Sequence, residues 1–264
     1  MTPIIRETDA IVLDSHDHGE SDLIITLYCR DNGRITAIAK GAKKSKRRFV
    51  NKLELFSFLQ VTLRQRNSNS LALLQEAELH SGFIQLRQNF TKYTAASVIR
   101  EFTLFAIRDG EEDERFYQLL LWSLHMLNKG EPHLQIVMLF LLRFYDYIGY
   151  RPELRHCFSC GISELSSSDF RFNTSTGSLI CAKCVRAAGQ SGIPLSPGTI
   201  KMLESCQHSS LERLHRIKVA ESSLYEALNV LHRYGRHVLQ RDIISWRMLR
   251  KTIRSEMTEW TNYR

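Results

Sequence analysis

Hydrophobic and polar positions alternate through the first eighty residues and then change period. The segments TDAIVL, DLIITLY, RITAIA, FLQVTLR and LALLQEAEL are short and rich in β-branched or aliphatic side chains. Between them stand HDHGES, RDNG, a cationic loop and RNSNS, all carrying turn-forming residues. In DLIITLY, Leu23, Ile25 and Leu27 share one face. In RITAIAK, Arg34, Thr36 and Lys40 lie opposite Ile35, Ala37 and Ala39, with Ile38 interrupting the polar face. Five such strands fit a small closed barrel of the OB type, and an SH3-like barrel is also compatible with the pattern. Phe56 and Phe58 flank a serine at strand spacing, and the barrel core is their expected place.

Beyond Ser81 the period becomes helical. Ala95, Val98, Phe102 and Phe105 form one stripe, and Phe116, Leu120, Leu124 and Leu127 form another. The segment EPHLQIVMLFLLRFYDYIGY has Pro132 near its start and Gly149 at its end. It is apolar on nearly every side, as a helix central to a bundle must be. Ser196 before Pro197 reads as a helix cap and first position, and Leu224, Leu228, Leu231 and Val238 line a last long helix. The acidic stretch GEEDE between helices reads most simply as a solvated loop, with an internal competitor for the cationic loop as the less favoured alternative, and SELSSSD is a low-complexity tract.

Charge changes the picture. The 264 residues carry a formal net charge of +8, but unevenly. Arg34 to Arg66 holds ten Lys or Arg against Glu54 alone, and Arg233 to Arg254 holds seven against Asp242 alone. The rest of the chain is slightly acidic. Charge concentrated in this way speaks of polyanionic partners, nucleic acid before membrane. The start, MTPIIRETDAIVLD, does not have the pattern of a secretory leader. The run IVMLFLL is far below the ~20 apolar residues of a spanning helix. A cytoplasmic location and no membrane partner are the expectations.

The cationic loop KGAKKSKRRF follows the third strand. With Arg34, Lys40, Thr62, Arg64 and Phe58 on neighbouring strand faces, it forms an electrostatic groove of the kind in which barrels hold single strands. No base-reading arrangement is visible, so binding is expected to be independent of sequence. The competing interpretation is a solvated surface; the scarcity of interspersed Asp or Glu argues against it.

Six cysteines in a chain of this length do not make a disulfide framework. Cys29 and Cys206 stand alone in apolar or helical surroundings and read as buried thiols. Cys157, Cys160, Cys181 and Cys184 form two CxxC knuckles separated by twenty residues, the spacing of a four-thiolate zinc site. Between them DFRFNTSTGSLI reads as a hairpin, and Gly161 permits the turn after the first knuckle. Four thiolates leave no open coordination position, so Zn2+ here is structural, its binding energy serving folding. A redox CxxC pair and an iron–sulfur cluster are the alternatives. Arg155, Arg171, Lys183 and Arg186 surround the finger, where solvated surface is the simpler reading.

The fold class expected is α+β: an N-terminal OB-type β-barrel over residues 1–80, then an α-helical domain over 81–250. The helical domain carries the zinc finger as an insert at 155–187, and 251–264 forms a C-terminal tail.

Taken together, GESDLIITLYCRDNGRITAIAKGAKKSKRRF, CFSCG with DFRFNTSTGSLICAKC, and YGRHVLQRDIISWRML resemble the corresponding segments of the RecO family of bacterial recombinational repair proteins. The resemblance spans residues 1–250 in the family's order. It departs in having Gly177 and Ser178 where paired glycines often precede the third cysteine, and Arg47 and Arg48 where a serine is often found. The resemblance implies a non-enzymatic mediator of homologous recombination, nucleoid-associated, that binds single- and double-stranded DNA and anneals complementary strands. It implies cooperation with RecR in loading RecA onto strands covered by single-stranded DNA-binding protein, and binding of that protein's C-terminal tail. Lys40, Lys43, Lys44, Lys46, Arg47 and Arg48 would then contact phosphate, with Arg34 in support. Arg143, Arg236 and Arg241 are the candidates for partner binding. Two other functions compete. One is a barrel-and-finger module that binds RNA or regulates transcription. The other is a metal-dependent nuclease, which the absence of an HExxH or similar cluster disfavours.

Overall fold

A tight turn at Asp31–Gly33 sets the register of the barrel. Gly33 takes φ +61°, and from it β2 (Asp22–Cys29) and β3 (Gly33–Ala39) pair antiparallel from Cys29↔Gly33 to Leu23↔Ala39. This computed structural model describes residues 4–65, 70–163, 169–188 and 192–262. Arg66 and most of the RNSNS and SELSSSD segments lie outside the described residues.

Strand β1 (Ile4–His18) pairs antiparallel with β2 on one side and with β4 (Phe58–Gln65) on the other. Strand β5 (Ala72–Ser81) pairs antiparallel with β4 and, over Ala37↔Ala72 and Ile38↔Leu73, parallel with β3. The order β1-β2-β3-β5-β4 closes the sheet into the OB-like barrel that the alternation predicts. Its interior is built from the expected faces: Ile25, Leu27, Ala37, Ala39, Val61 and Leu63 are all buried. The small Ala37 and Ala39 opposite larger aliphatic residues suit the narrow interior of a five-stranded barrel.

The two phenylalanines divide. Phe56 is 1% exposed but lies ahead of β4 at φ +69°, its N–H donating to Val12 O at 2.8 Å, while Phe58 is half-buried against His80. They do not share a strand face, because the strand begins only at Phe58. Short helix α1 (Ile84–Arg87) follows, then α2 (Phe90–Ala106) and α3 (Glu114–Lys129). Asn89 caps α2 by accepting from the Lys92 N–H. Ala95, Val98 and Phe102 are buried as the stripe predicts, but Phe105 is 36% exposed because α2 ends one residue later. The α3 stripe Phe116, Leu120, Leu124 and Leu127 is buried throughout.

By internal contacts the chain forms two compact units, residues 1–96 with 102–128, and residues 97–101 with 129–264. In the second, α4 (His133–Tyr147) buries residues around its whole circumference. A four-stranded sheet follows, in the order β6 (Glu153–Cys157), β8 (Ser178–Cys181), β7 (Phe170–Asn173), β9 (Ile193–Leu195), with α5 (Ala182–Ala188) after β8. Ser196 caps α6 (Pro197–His208) by accepting from Thr199 N–H, with Pro197 opening the helix. Helices α7 (Leu211–Leu214), α8 (Glu221–Leu239) and α9 (Ile244–Asn262) complete it, α9 continuing through residues that the sequence leaves as a tail. The Tyr145 hydroxyl donates to Leu231 O at 2.7 Å, tying α4 to α8. Among the described residues no helix is long and apolar enough to cross a membrane.

Candidate nucleic-acid interface and metal centre

The cationic loop is anchored at its root by the β1–β2 turn. The Asp22 carboxylate accepts from Gly41 N–H at 2.8 Å, and Ser21 O accepts from Lys43 N–H at 2.9 Å. The Gly41 N–H, then the Ser21 hydroxyl, hold the Asp22 carboxyl below the usual carboxylate range. Gly41 takes φ +67° to enter a single turn of 3-10 helix over Ala42–Lys44. This anchorage follows from register, since Leu23↔Ala39 pairing brings Asp22 opposite the strand's exit.

The loop cations then separate into held and free. Lys43 Nζ sits 2.6 Å from Asp17 and 3.3 Å from Gly19 O. The Arg48 guanidinium donates to Gln75 O and Lys40 O and lies over the Phe49 ring. Lys52 Nζ donates to Ala77 O at 2.7 Å. Lys44, Lys46 and Arg47 are exposed, and their side chains make no ion pair or hydrogen bond among the described residues. Lys40 is exposed at the end of β3. Arg64 is exposed on β4, in the row Arg64↔Leu73↔Ile38↔Ile24 that runs across the outer barrel surface.

Arg34 is placed differently. It stands at the far end of β3, 22% exposed, with Nε donating to Asp109 and Nη1 to Leu104 O at 2.8 Å. The sequence does not anticipate this pairing, and Asp109 is 75 residues away.

The four cysteine sulfurs converge, all within 4.8 Å of one another. Hairpin β7–β8, in the register Phe170↔Cys181 to Asn173↔Ser178, brings the second knuckle to the first. The first knuckle turns at Gly161, φ +75°, whose N–H donates to Cys157 O at 2.8 Å. Gly177, φ +64°, makes the hairpin turn, and Ser178 after it is buried with its hydroxyl 2.6 Å from that of Thr176. Cys160 and Cys181 Sγ are 3.7 Å apart. A tetrahedron with metal–sulfur bonds of about 2.3 Å has edges of about 3.8 Å, so this pair already has the right separation for zinc. Burial pushes the Cys157 thiol up, but N–H donors from Cys181, Cys160 and Ser159 outweigh it and bring the thiol down to about 6. Hydrogen bonds with Cys160 and Cys181 push the Cys184 thiol up to about 12. The cluster can bind a metal ion.

Arg143, Arg236 and Arg241 do not come together into one site. The Arg143 guanidinium donates to Gln207 O and Ser209 O, satisfying carbonyls at the end of α6. Arg236 and Arg241 line a shallow surface depression with Arg233 and Asp242, and Arg236 pairs with Asp242 at 3.3 Å.

Residues 1–83 match the family described as Recombination protein O N terminal, and residues 87–247 match Recombination protein O C terminal. The chain is 30% identical over 248 residues to DNA repair protein RecO of Syntrophobacter fumaroxidans, covering 92% of this chain and 96% of the relative. It is 27% identical over 258 residues to DNA repair protein RecO of Desulforamulus reducens, covering 98% and 99%.

Proposed function

This chain belongs to the RecO family, and on that premise we propose that it binds single- and double-stranded DNA and anneals complementary strands in recombinational repair. The family is one of recombination mediators, not enzymes. The observation that carries this reading is the set Lys44, Lys46 and Arg47, exposed and unpaired among the described residues, on a loop anchored to a closed barrel. Three unneutralised cations within four positions form a concentrated positive field, and phosphates relieve their mutual repulsion. Lys40 and Arg64 extend that field across the outer strands. Lys43 and Arg48 contribute charge while they shape the loop.

Annealing follows from the same electrostatics. Two complementary strands repel through their phosphates, and cations on the barrel, with the separate basic zone on α8 and α9, screen that repulsion. The partners proposed are RecR, RecA through RecR, and the C-terminal tail of single-stranded DNA-binding protein. Zn2+ is the proposed ion of the four-cysteine cluster, held by Cys157, Cys160, Cys181 and Cys184. Its role when bound is to cross-link the β7–β8 hairpin to the first knuckle.

The test is annealing of complementary strands coated with single-stranded DNA-binding protein, comparing the wild type with the variant carrying Lys44→Ala, Lys46→Ala and Arg47→Ala. A tenfold or greater loss of rate is expected with an unchanged thermal midpoint. Equal rates would remove the loop from the interface.

A further inference from the structure

The loop between α2 and α3 is acidic, and its backbone is fastened to the barrel while its carboxylates stay exposed. It reads Arg108-Asp109-Gly110-Glu111-Glu112-Asp113. Gly110 N–H donates to Arg34 O at 3.0 Å, and Asp109 forms an isolated parallel bridge with Arg34. The Arg34 side chain donates to Asp109 and to Leu104 O. Gly33 lies so close beneath the strap that a Cβ there would meet Glu111 O at 1.9 Å. One step further along, Arg30 Nε pairs with Glu114 at 3.2 Å. The stretch is solvated, as the sequence predicts, but these contacts fix where its carboxylates stand.

The strap sits at one end of a continuous strand face. Arg34, Thr36, Ile38 and Lys40 all face outward from β3, because Ala37 and Ala39 face the core. Lys40, directly after the strand, lies six residue steps from Arg34, about 20 Å at about 3.3 Å per step. At the Lys40 end stand the free loop cations. At the Arg34 end, a hollow lined by Arg6, Arg34, Thr36, Asp109 and Glu112 brings carboxylates against the strand.

Resting on the DNA-binding reading above, we propose that the strap Asp109–Asp113 sets where the polynucleotide path on the barrel ends. Asp109 occupies the Arg34 guanidinium as a phosphate would, and Glu111 and Glu112 repel the next phosphate along. A strand entering from the loop is therefore engaged at the Lys40 end and released before Arg34. Arg34 contributes nothing to affinity until its carboxylate partner is removed.

Binding of oligothymidylates of graded length tests this, measured by fluorescence anisotropy across a salt series. The four proteins are the wild type, Arg34→Gln, the strap variant Asp109→Asn/Glu111→Gln/Glu112→Gln, and the two combined. Arg34→Gln alone is expected to change affinity less than twofold. The strap variant is expected to bind about three- to tenfold more tightly, to steepen the slope of log K against log salt by about 0.7, and to saturate on a longer oligonucleotide. Adding Arg34→Gln to the strap variant is expected to abolish the gain in slope and length. A gain that survives Arg34→Gln would mean only a general reduction of negative charge and would overturn the proposal, as would no gain at all. If instead the wild type showed no salt-dependent binding, the DNA-binding reading itself would fail, whatever the strap does. Thermal midpoints of the four proteins, expected within a few degrees of one another, separate these results from misfolding.

Discussion

His232 carries a half-buried imidazole whose chemistry is set by what surrounds it. Its ring stacks flat on Trp246, 4.2 Å between centroids, and its Nε2 has no hydrogen-bond partner among the described residues. Burial comes first among the causes that push its pKa down to about 4, followed by Arg236; Arg250 and Arg233 add to the depression and Asp242 opposes it. The folded form therefore holds His232 neutral where the unfolded chain, titrating near 6.5, takes up a proton. The stability this group contributes is fully present above about pH 6.5 and is lost as pH falls toward 4, by up to about 3 kcal/mol. Urea midpoints measured from pH 7 to 4.5 should fall less steeply for His232→Phe, which keeps the stack and removes the titration. Parallel curves would show that His232 is not a source of the acid sensitivity.

Among the elements, the hairpin β7–β8 depends on one glycine and one metal site. A Cβ on Gly177 would lie 2.4 Å from the Tyr234 hydroxyl, and that hydroxyl is fixed by donating to Tyr150 O at 3.0 Å. Gly177→Ala should cost about 1–3 kcal/mol from positive φ and this clash together. In a Tyr234→Phe background the cost should shrink by about 1 kcal/mol, a coupling that a double-mutant cycle in urea would read. Additive effects would refute the clash. The cysteine cluster makes a separate prediction: purified protein should carry about one zinc per chain by elemental analysis. Cys160→Ser should abolish that stoichiometry and lower the thermal midpoint, and a metal-free wild type with an unchanged midpoint would contradict a structural zinc. Much of this was legible in the sequence. The period of two in DLIITLY and RITAIA identified the barrel faces, and the twenty-residue spacing of the CxxC knuckles with an alternating segment between them identified the finger. Where an element stops was less legible, because Phe105 fits the α2 stripe but falls on its last turn, and Phe56 fits strand spacing but precedes the strand.

At the scale of the whole molecule, the sequence shows where cations are dense but not which are free. Lys43 is held by Asp17 across a hairpin, Arg34 by Asp109, and Arg48 by carbonyls on β5 and at the end of β3. Those partners lie 8 to 75 residues away in the chain, and only the closed barrel and its strap bring them near. Lys44, Lys46 and Arg47 stay available because the 3-10 turn and the Asp22 anchor hold the loop's root without using their side chains. Polynucleotide binding by this barrel therefore works through counterion release by a few exposed cations. The direct measurement is the slope of log K against log salt for an oligothymidylate, in the wild type and in the variant with Lys44, Lys46 and Arg47 changed to Ala. A slope of about −3 is expected for the wild type, for roughly four phosphates neutralised, falling to about −1 in the variant. A wild-type slope near zero, or equal slopes in the two proteins, would contradict it.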